Sequence, residues 1–187
     1  MARPLSEEKK NAIIAAATRV IASFGTSATT AAIAAEAGVA TGSLFTYYPT
    51  KDALLNALFF ELKSEIADAL LVEYPAEASP KDRAWHIWTR YIDWALKFPD
   101  KRRASDQVSL SCRISPEVVD AAVARWGPIN NVVQDCIPER SPLRAEFGTG
   151  IMIKLAELAI DFAEREPDHA QDHTRIGFDA CWRALSH

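Results

Sequence analysis

The sequence predicts an all-α protein, and three observations carry that reading. Long stretches repeat their apolar residues with a period near 3.6. Alternating strand patterns and Asn-Gly hairpin signals are missing. Glycine is scarce, with 7 in 187 residues, and only Gly25 and Gly38 stand before Gly42. At this length the chain can form one ordinary domain, or a small domain joined to a larger one. A hydrophobic content of 49% and a charged content of 25% suit a chain that buries a sizeable core.

About nine helices follow in order. The first runs from about Ser6 to Phe24. Ser6 can cap it, Glu7 and Glu8 suit its positive end, and Gly25 supplies the stop. Its apolar stripe is Ile13, Ala17, Val20, Ile21 and Phe24. A second helix starts at the Thr29-Thr30 pair, where a hydroxyl can cap, and ends before Gly38. A third covers Thr41 to Tyr47 and is closed by Pro49, after which Thr50 caps a long fourth helix from Lys51 towards Glu73.

Residues 74–80 form a linker between Tyr74-Pro75 and Pro80. The fifth helix, near Lys81 to Lys97, turns Ala84, Ile87, Trp88, Tyr91, Ile92 and Ala95 inward and leaves His86 on its polar, solvated side. Pro99 and Asp100 break it, and a sixth helix lies between Lys101 and Cys112. Lys101-Arg102-Arg103 at its start reads as an exposed charge run. Ser115-Pro116-Glu117 opens a seventh helix that carries Trp126, and Ser141-Pro142 opens an eighth that runs to about Glu166. Pro167-Asp168 leads into a ninth.

Several classes of function drop out. No apolar run approaches the roughly 18 residues of a membrane span, and no apolar stretch follows the first charges as a secretory signal would require. Absence of both points to the cytoplasm. Cys112, Cys136 and Cys181 fit neither a disulfide framework nor a zinc spacing and read as free thiols. His169 and His173 are four residues apart beside Asp172, but no third ligand stands at a fixed spacing, so no metal is expected. No nucleophile elbow, paired-histidine zinc motif or phosphate-cradling glycine loop is present. Neither an enzyme nor a cofactor is expected.

The charge distribution is asymmetric. Net charge is −4, yet in residues 1–52 the cations Arg3, Lys9, Lys10, Arg19 and Lys51 outnumber Glu7, Glu8, Glu36 and Asp52 by one. A near-neutral head therefore sits on an acidic body.

The stretch GVATGSLFTYYPTK at residues 38–51 is the most informative. Two helices crossing steeply need a small residue at the crossing, a turn residue that tolerates positive φ, and a branched apolar anchor. Ala34, Gly38 and Leu44 supply them in that order. With Leu44 inside, the outward face of the third helix holds Thr41, Gly42, Ser43, Phe45 and Thr46. Such a short, small and nearly uncharged face suits the major groove, about 12 Å wide, where bulk would hold a helix off the base edges. Tyr47 and Lys51 stand where a phenol and an ammonium can grip flanking phosphates.

These residues resemble the tetracycline-repressor (TetR) family, whose usual form is G-V-S-x-G-x-L-Y-x-Y-F-x-x-K-x-x-L. The resemblance covers about residues 6 to 60. It implies a three-helix DNA-binding head over residues 1–50 with a helix–turn–helix. A long helix would join the head to a ligand-binding and dimerisation domain over 51–187. By the same resemblance, contacts with double-stranded operator DNA fall on Thr30, Thr41, Gly42, Ser43, Phe45, Thr46, Tyr47 and Lys51. There are departures. Phe45 replaces a tyrosine that would bond phosphate and is left with van der Waals contact. Ala40 replaces a capping serine, leaving Thr41 as the substitute cap. Tyr48 replaces a core phenylalanine, so its hydroxyl must reach solvent or a carbonyl.

The body supports dimerisation on its own residues. The eighth helix is apolar around most of its circumference, and the ninth carries Ile176, Ala180 and Ala184 on one line and Phe178, Trp182 and Leu185 on another. Leu155, Ala159, Phe162, Phe178 and Trp182 are the candidate partner contacts. Trp88, Tyr91 and Trp126 are candidates for an effector pocket, although aromatics at helical spacing are more often plain core. The resemblance thus implies a homodimeric repressor released from DNA by an unknown small molecule. The alternative is a helical ligand-binding or scaffold protein whose head has lost DNA binding.

Overall fold

A computed structural model describes residues 6–186, and every regular element among them is helical. The helices are α1 Glu7–Phe24, α2 Thr30–Glu36, α3 Thr41–Tyr47, α4 Lys51–Leu71, α5 Pro80–Lys97, α6 Pro99–Ser109, α7 Pro116–Ala124, α8 Val132–Cys136, α9 Ala145–Arg165 and α10 Ala170–Ser186. Three 3-10 turns join them at Gly25–Ser27, Gly127–Ile129 and Pro167–His169. None of the described helices is long and apolar enough to cross a membrane.

Helices α1, α2 and α4 begin where their caps predict. Ser6 and Thr29 accept from the amides of Lys9 and Ala32, and Thr50 accepts from Ala53. Differences begin after residue 98. Pro99 does not merely end α5 but takes the first position of α6, where its missing N–H costs nothing. Ser141-Pro142 does not open α9. Ser141 instead accepts from the amide of Leu143 in a turn, and the helix starts at Ala145. The five-residue α8 is an additional helix, too short to leave a periodic trace. Trp126 lies beyond the end of α7.

By packing, the chain forms two units, and neither is continuous in sequence. One comprises the segment up to Glu65 with Phe98–Ala124, and the other Ile66–Lys97 with the segment from Arg125 onward.

In the first unit α1 is the shared element. Ile13, Ala16, Ala17, Val20 and Ile21 are buried along it against Ile33 and Ala34 of α2, Leu44 of α3, Leu54, Leu55, Leu58 and Leu62 of α4, and Ala104 and Val108 of α6. The charge run at 101–103 is not uniformly exposed. Arg102 is 8% exposed with its guanidinium 3.9 Å from Asp106. Lys101 pairs with Glu65 at 2.6 Å. Tyr48 is buried in the same core, and its hydroxyl reaches neither solvent nor a carbonyl among the described residues. Burial there pushes its pKa up to about 12.

The second unit packs α5, α8, α9 and α10 around Ala84, Trp88, Ile92, Ala156, Ala159, Ile160, Phe178 and Leu185. Trp88 is 1% exposed. Its indole N–H donates to the carbonyl of Thr174 at 2.9 Å, and its ring meets Phe178 edge to face. It is packed within the core of this unit. His86 is not solvated as expected, because a ring nitrogen lies 3.1 Å from the carbonyl of Leu70 and its ring meets Tyr74 edge-on. Burial pushes the thiols of Cys136 and Cys181 up to about 11, while Cys112 is exposed.

Gly177 gives a test of this packing. A Cβ there would lie 2.9 Å from the Trp88 ring and 3.2 Å from Ala159. Alanine is the better helix former by about 1 kcal/mol, but overpacking a rigid indole costs roughly 1–3 kcal/mol. Gly177→Ala is therefore expected to lower the denaturation midpoint, measured by urea unfolding followed through tryptophan fluorescence.

Candidate nucleic-acid interface

The two helices of the motif meet as their residue types require. Gly38 adopts φ +66, a left-handed conformation that glycine accepts without strain. The amide of Val39 then returns to the carbonyl of Ala34 at 2.9 Å, closing the turn. Leu44 is fully buried and sets the rotation of α3. Arg19 of α1 and Glu36 of α2 pair at 2.6 Å on the flank.

Rotation about Leu44 turns Thr41, Gly42, Phe45 and Thr46 outward, with Ser43 half-buried and Phe45 41% exposed. Ala40 occupies the cap position and no side chain caps α3, so Thr41 does not take over that role. The first amides of α3 are left without an intrahelical acceptor. Thr46 donates its hydroxyl to the carbonyl of Gly42 at 3.2 Å, leaving its oxygen lone pairs facing out.

Gly42 is the informative residue. A Cβ there would meet nothing within 4 Å, and its φ lies outside the left-handed region. Neither packing nor backbone geometry asks for glycine, although glycine inside a helix costs roughly 0.5–1 kcal/mol relative to alanine.

The flanking residues divide. Thr30 is half-buried at the first position of α2. Tyr47 is also half-buried, and its phenol oxygen accepts from the amide of Ser6 at 3.1 Å. That bond ties the end of α3 to the start of α1, while the phenol proton stays available to an acceptor. Lys51 stands at the first position of α4, its pKa lowered by burial and by the nearby Arg113, with Asp52 acting in the opposite direction.

Arg113 was not visible in the sequence pattern. Its guanidinium bonds Asp52 at 3.0 Å. Asn56 donates to the carbonyl of Arg113 at 3.0 Å and accepts from the amide of Ser115 at 2.8 Å. The partners are 57 and 59 residues apart, beyond the reach of any local spacing rule.

Comparison with known proteins bears on the same region. The family model described as bacterial regulatory proteins, tetR family, matches residues 13–58. A solved tetR-family transcription regulator from a Shewanella species is similar over 95% of this chain and 97% of its own, at 28% identity and a TM-score of 0.79. Residues 13–58 thus carry the tetR-family domain, in a chain that has the fold of a solved TetR-family regulator over nearly its whole length. A TetR-family structure from Marinobacter aquaeolei superposes with a TM-score of 0.82 at 20% identity, each chain covered over 96%. The nucleoid occlusion factor SlmA of Pasteurella multocida is 33% identical over 75 residues, which span 40% of this chain and 38% of that relative's length.

The remaining predicted contacts lie elsewhere in the chain. Ala159 and Phe178 are buried within their own unit, Leu155 and Trp182 are half-buried, and Phe162 is 38% exposed. Tyr91 and Trp126 are half-buried. Among the described residues no three His, Cys, Asp or Glu side chains converge as a metal site. His173 instead pairs with Glu166 at 3.0 Å.

If Gly42 serves an external surface, stability and binding must separate there. Gly42→Ala is expected to raise the stability of the first unit by about 0.5–1 kcal/mol while weakening its hold on duplex DNA. Thermal unfolding and an anisotropy titration on the same preparation check both halves.

Proposed function

We propose that this protein is a homodimeric, DNA-binding transcription regulator of the TetR family that represses until a small-molecule effector releases it from its operator. The observation that carries the DNA-binding part is Gly42: an open helical glycine with no internal reason, on a small, nearly uncharged face that Phe45 and Thr46 share. In this reading α3 enters the major groove, where Thr41, Ser43 and Thr46 address base edges and Phe45 packs on a thymine methyl or a sugar. Lys51 and Tyr47 hold phosphates, and Thr30 approaches the backbone from α2.

Dimerisation has separate support. On α9 and α10, Ile153, Leu158, Phe162 and Ile176 are 45%, 52%, 38% and 63% exposed. Ala180 and Ala184 continue the line from Ile176. Exposed apolar side chains on two long neighbouring helices suit an isologous four-helix contact. Leu155 and Trp182 flank that face, and Phe178 supports it from within. A single head offers few donors, and two heads held about 34–36 Å apart would read half-sites one turn apart. The effector part rests on the family resemblance, with Tyr91 and Trp126 as the aromatics left to meet a ligand beside the packed Trp88. Selecting fragments from genomic DNA, with and without candidate small molecules, tests the whole reading. Failure to enrich any sequence would sink it.

Two substitutions separate the roles. Lys51→Ala should weaken operator and random DNA alike and reduce the salt slope by about one. Ser43→Ala should change preference at a few base positions by roughly 1–3 kcal/mol and leave the slope alone. Binding isotherms across a salt series distinguish them.

Ile176→Glu should yield monomers and abolish specific binding with α3 unaltered. Sedimentation velocity beside an operator titration checks this, and a native protein that is itself monomeric would remove the dimer from the proposal.

A further inference from the structure

The α6–α7 connection enters the first unit at the one edge where α4 presents its positive end. Asn56, one turn into α4, holds that connection on both sides of Ile114. Its amide donates to the carbonyl of Arg113 at 3.0 Å and its oxygen accepts from the amide of Ser115 at 2.8 Å. Ile114 itself packs against the core of the unit. The backbone at residue 113 is therefore fixed, and its side chain is aimed at the first turn of α4. There the guanidinium meets Asp52 at 3.0 Å, beside Lys51, with both partners of the pair about half exposed or more.

An exposed pair of this kind stabilises a fold little, so stability alone does not account for three hydrogen-bonded or packed anchors around it. The placement also has a cost in the free protein. Two cations, Lys51 and Arg113, share one edge with the amide end of a 21-residue helix, and Asp52 is the carboxylate between them. The Lys51 ammonium is shifted down first by its burial and then by Arg113, with Asp52 opposing. An arriving anion relieves the crowding of the two cations. Of the five guanidinium donors, the bond to Asp52 uses one and orients the rest. A planar guanidinium takes phosphate through paired hydrogen bonds that an ammonium cannot make.

We propose that Arg113, supplied by the α6–α7 connection from outside the helix–turn–helix, is a further DNA-backbone ligand that completes a phosphate clamp with Lys51, with Asp52 and Asn56 positioning it. The inference rests on the DNA-binding reading above. It assigns to the later part of the chain a direct contact with nucleic acid, and it makes the register of that connection a determinant of affinity.

The test must separate contact from screening, because removing Arg113 also uncovers Asp52, and a bare carboxylate repels DNA by itself. Wild-type protein, Arg113→Ala, Asp52→Asn and the double variant are titrated against a selected operator fragment and a random duplex at several salt concentrations. The expected result is that Arg113→Ala lowers affinity by a similar factor on both duplexes and reduces the salt slope by about one, and does so equally in the Asp52→Asn background. A loss seen with Asp52 in place that vanishes in the Asp52→Asn background would reduce Arg113 to a screen for that carboxylate and overturn the proposal. An unchanged slope would overturn it as well. Arg113→Gln, which keeps the bulk of the side chain, replaces Arg113→Ala if unfolding midpoints show that alanine disturbs the connection. Wild-type protein that holds neither duplex at low salt would overturn the DNA-binding reading, and this inference with it. A wild type that binds while the double variant behaves as Asp52→Asn alone overturns only the role of Arg113.

Discussion

Ala16 and Ala17 are fully buried in the middle of α1, and the first unit is built around what their small size allows. Helix axes approach to a distance set by the side chains at the crossing, and alanine permits the closest contact short of glycine. α1 packs closely against both α2 and α6, and α3 against α2. A larger residue at either position would push one of the two away. Displacing α2 would move the Gly38 turn and rotate α3 about Leu44, which is what turns Gly42 and Phe45 outward. Displacing α6 would carry the anchored α6–α7 connection with it. The chemistry of the exposed surface thus hangs on two methyl groups that touch no solvent.

Much of this was legible because it is local. Caps at Ser6, Thr29 and Thr50, the breakers Gly25, Gly38 and Pro49, and the inward Leu44 are rules of a few residues' reach, and the first three helices fall where those rules put them. The same locality explains the failures. Thr41 looked like a cap only because Ala40 could not be one, yet a helix can begin uncapped where it meets solvent. Arg102 sits in a run of cations, but a run does not tell which member a neighbouring helix will cover. His86 lies on the polar arc of α5, which the end of α4 happens to approach. Asn56, Arg113 and the bond between Tyr47 and Ser6 join residues 41 or more apart, and no periodicity reports them.

The two long C-terminal helices show how far pattern goes before packing decides. Both lines on α10 are apolar, and hydropathy cannot rank them. The choice is made by Gly177, which lets Trp88 approach α10 closely enough for its indole to reach the carbonyl of Thr174. Phe178 then falls inside and Ile176 outside. An absent side chain selects the face.

The interleaving of the two units has a consequence for how such a chain can be inherited. Because Ala104, Val108 and Ala122 complete a core begun by Ile13 and Ile21, the head is not encoded by one uninterrupted stretch. A single genetic crossover near codon 50 or codon 65 would marry a foreign α6 and α7 to this α1 and α4, mismatching small residues against large ones across a buried seam. Exchange of heads between relatives would need a double crossover, or compensating changes on both sides of that seam. Lineages of this architecture should therefore vary the exposed face of α3 by point substitution more readily than by shuffling whole heads.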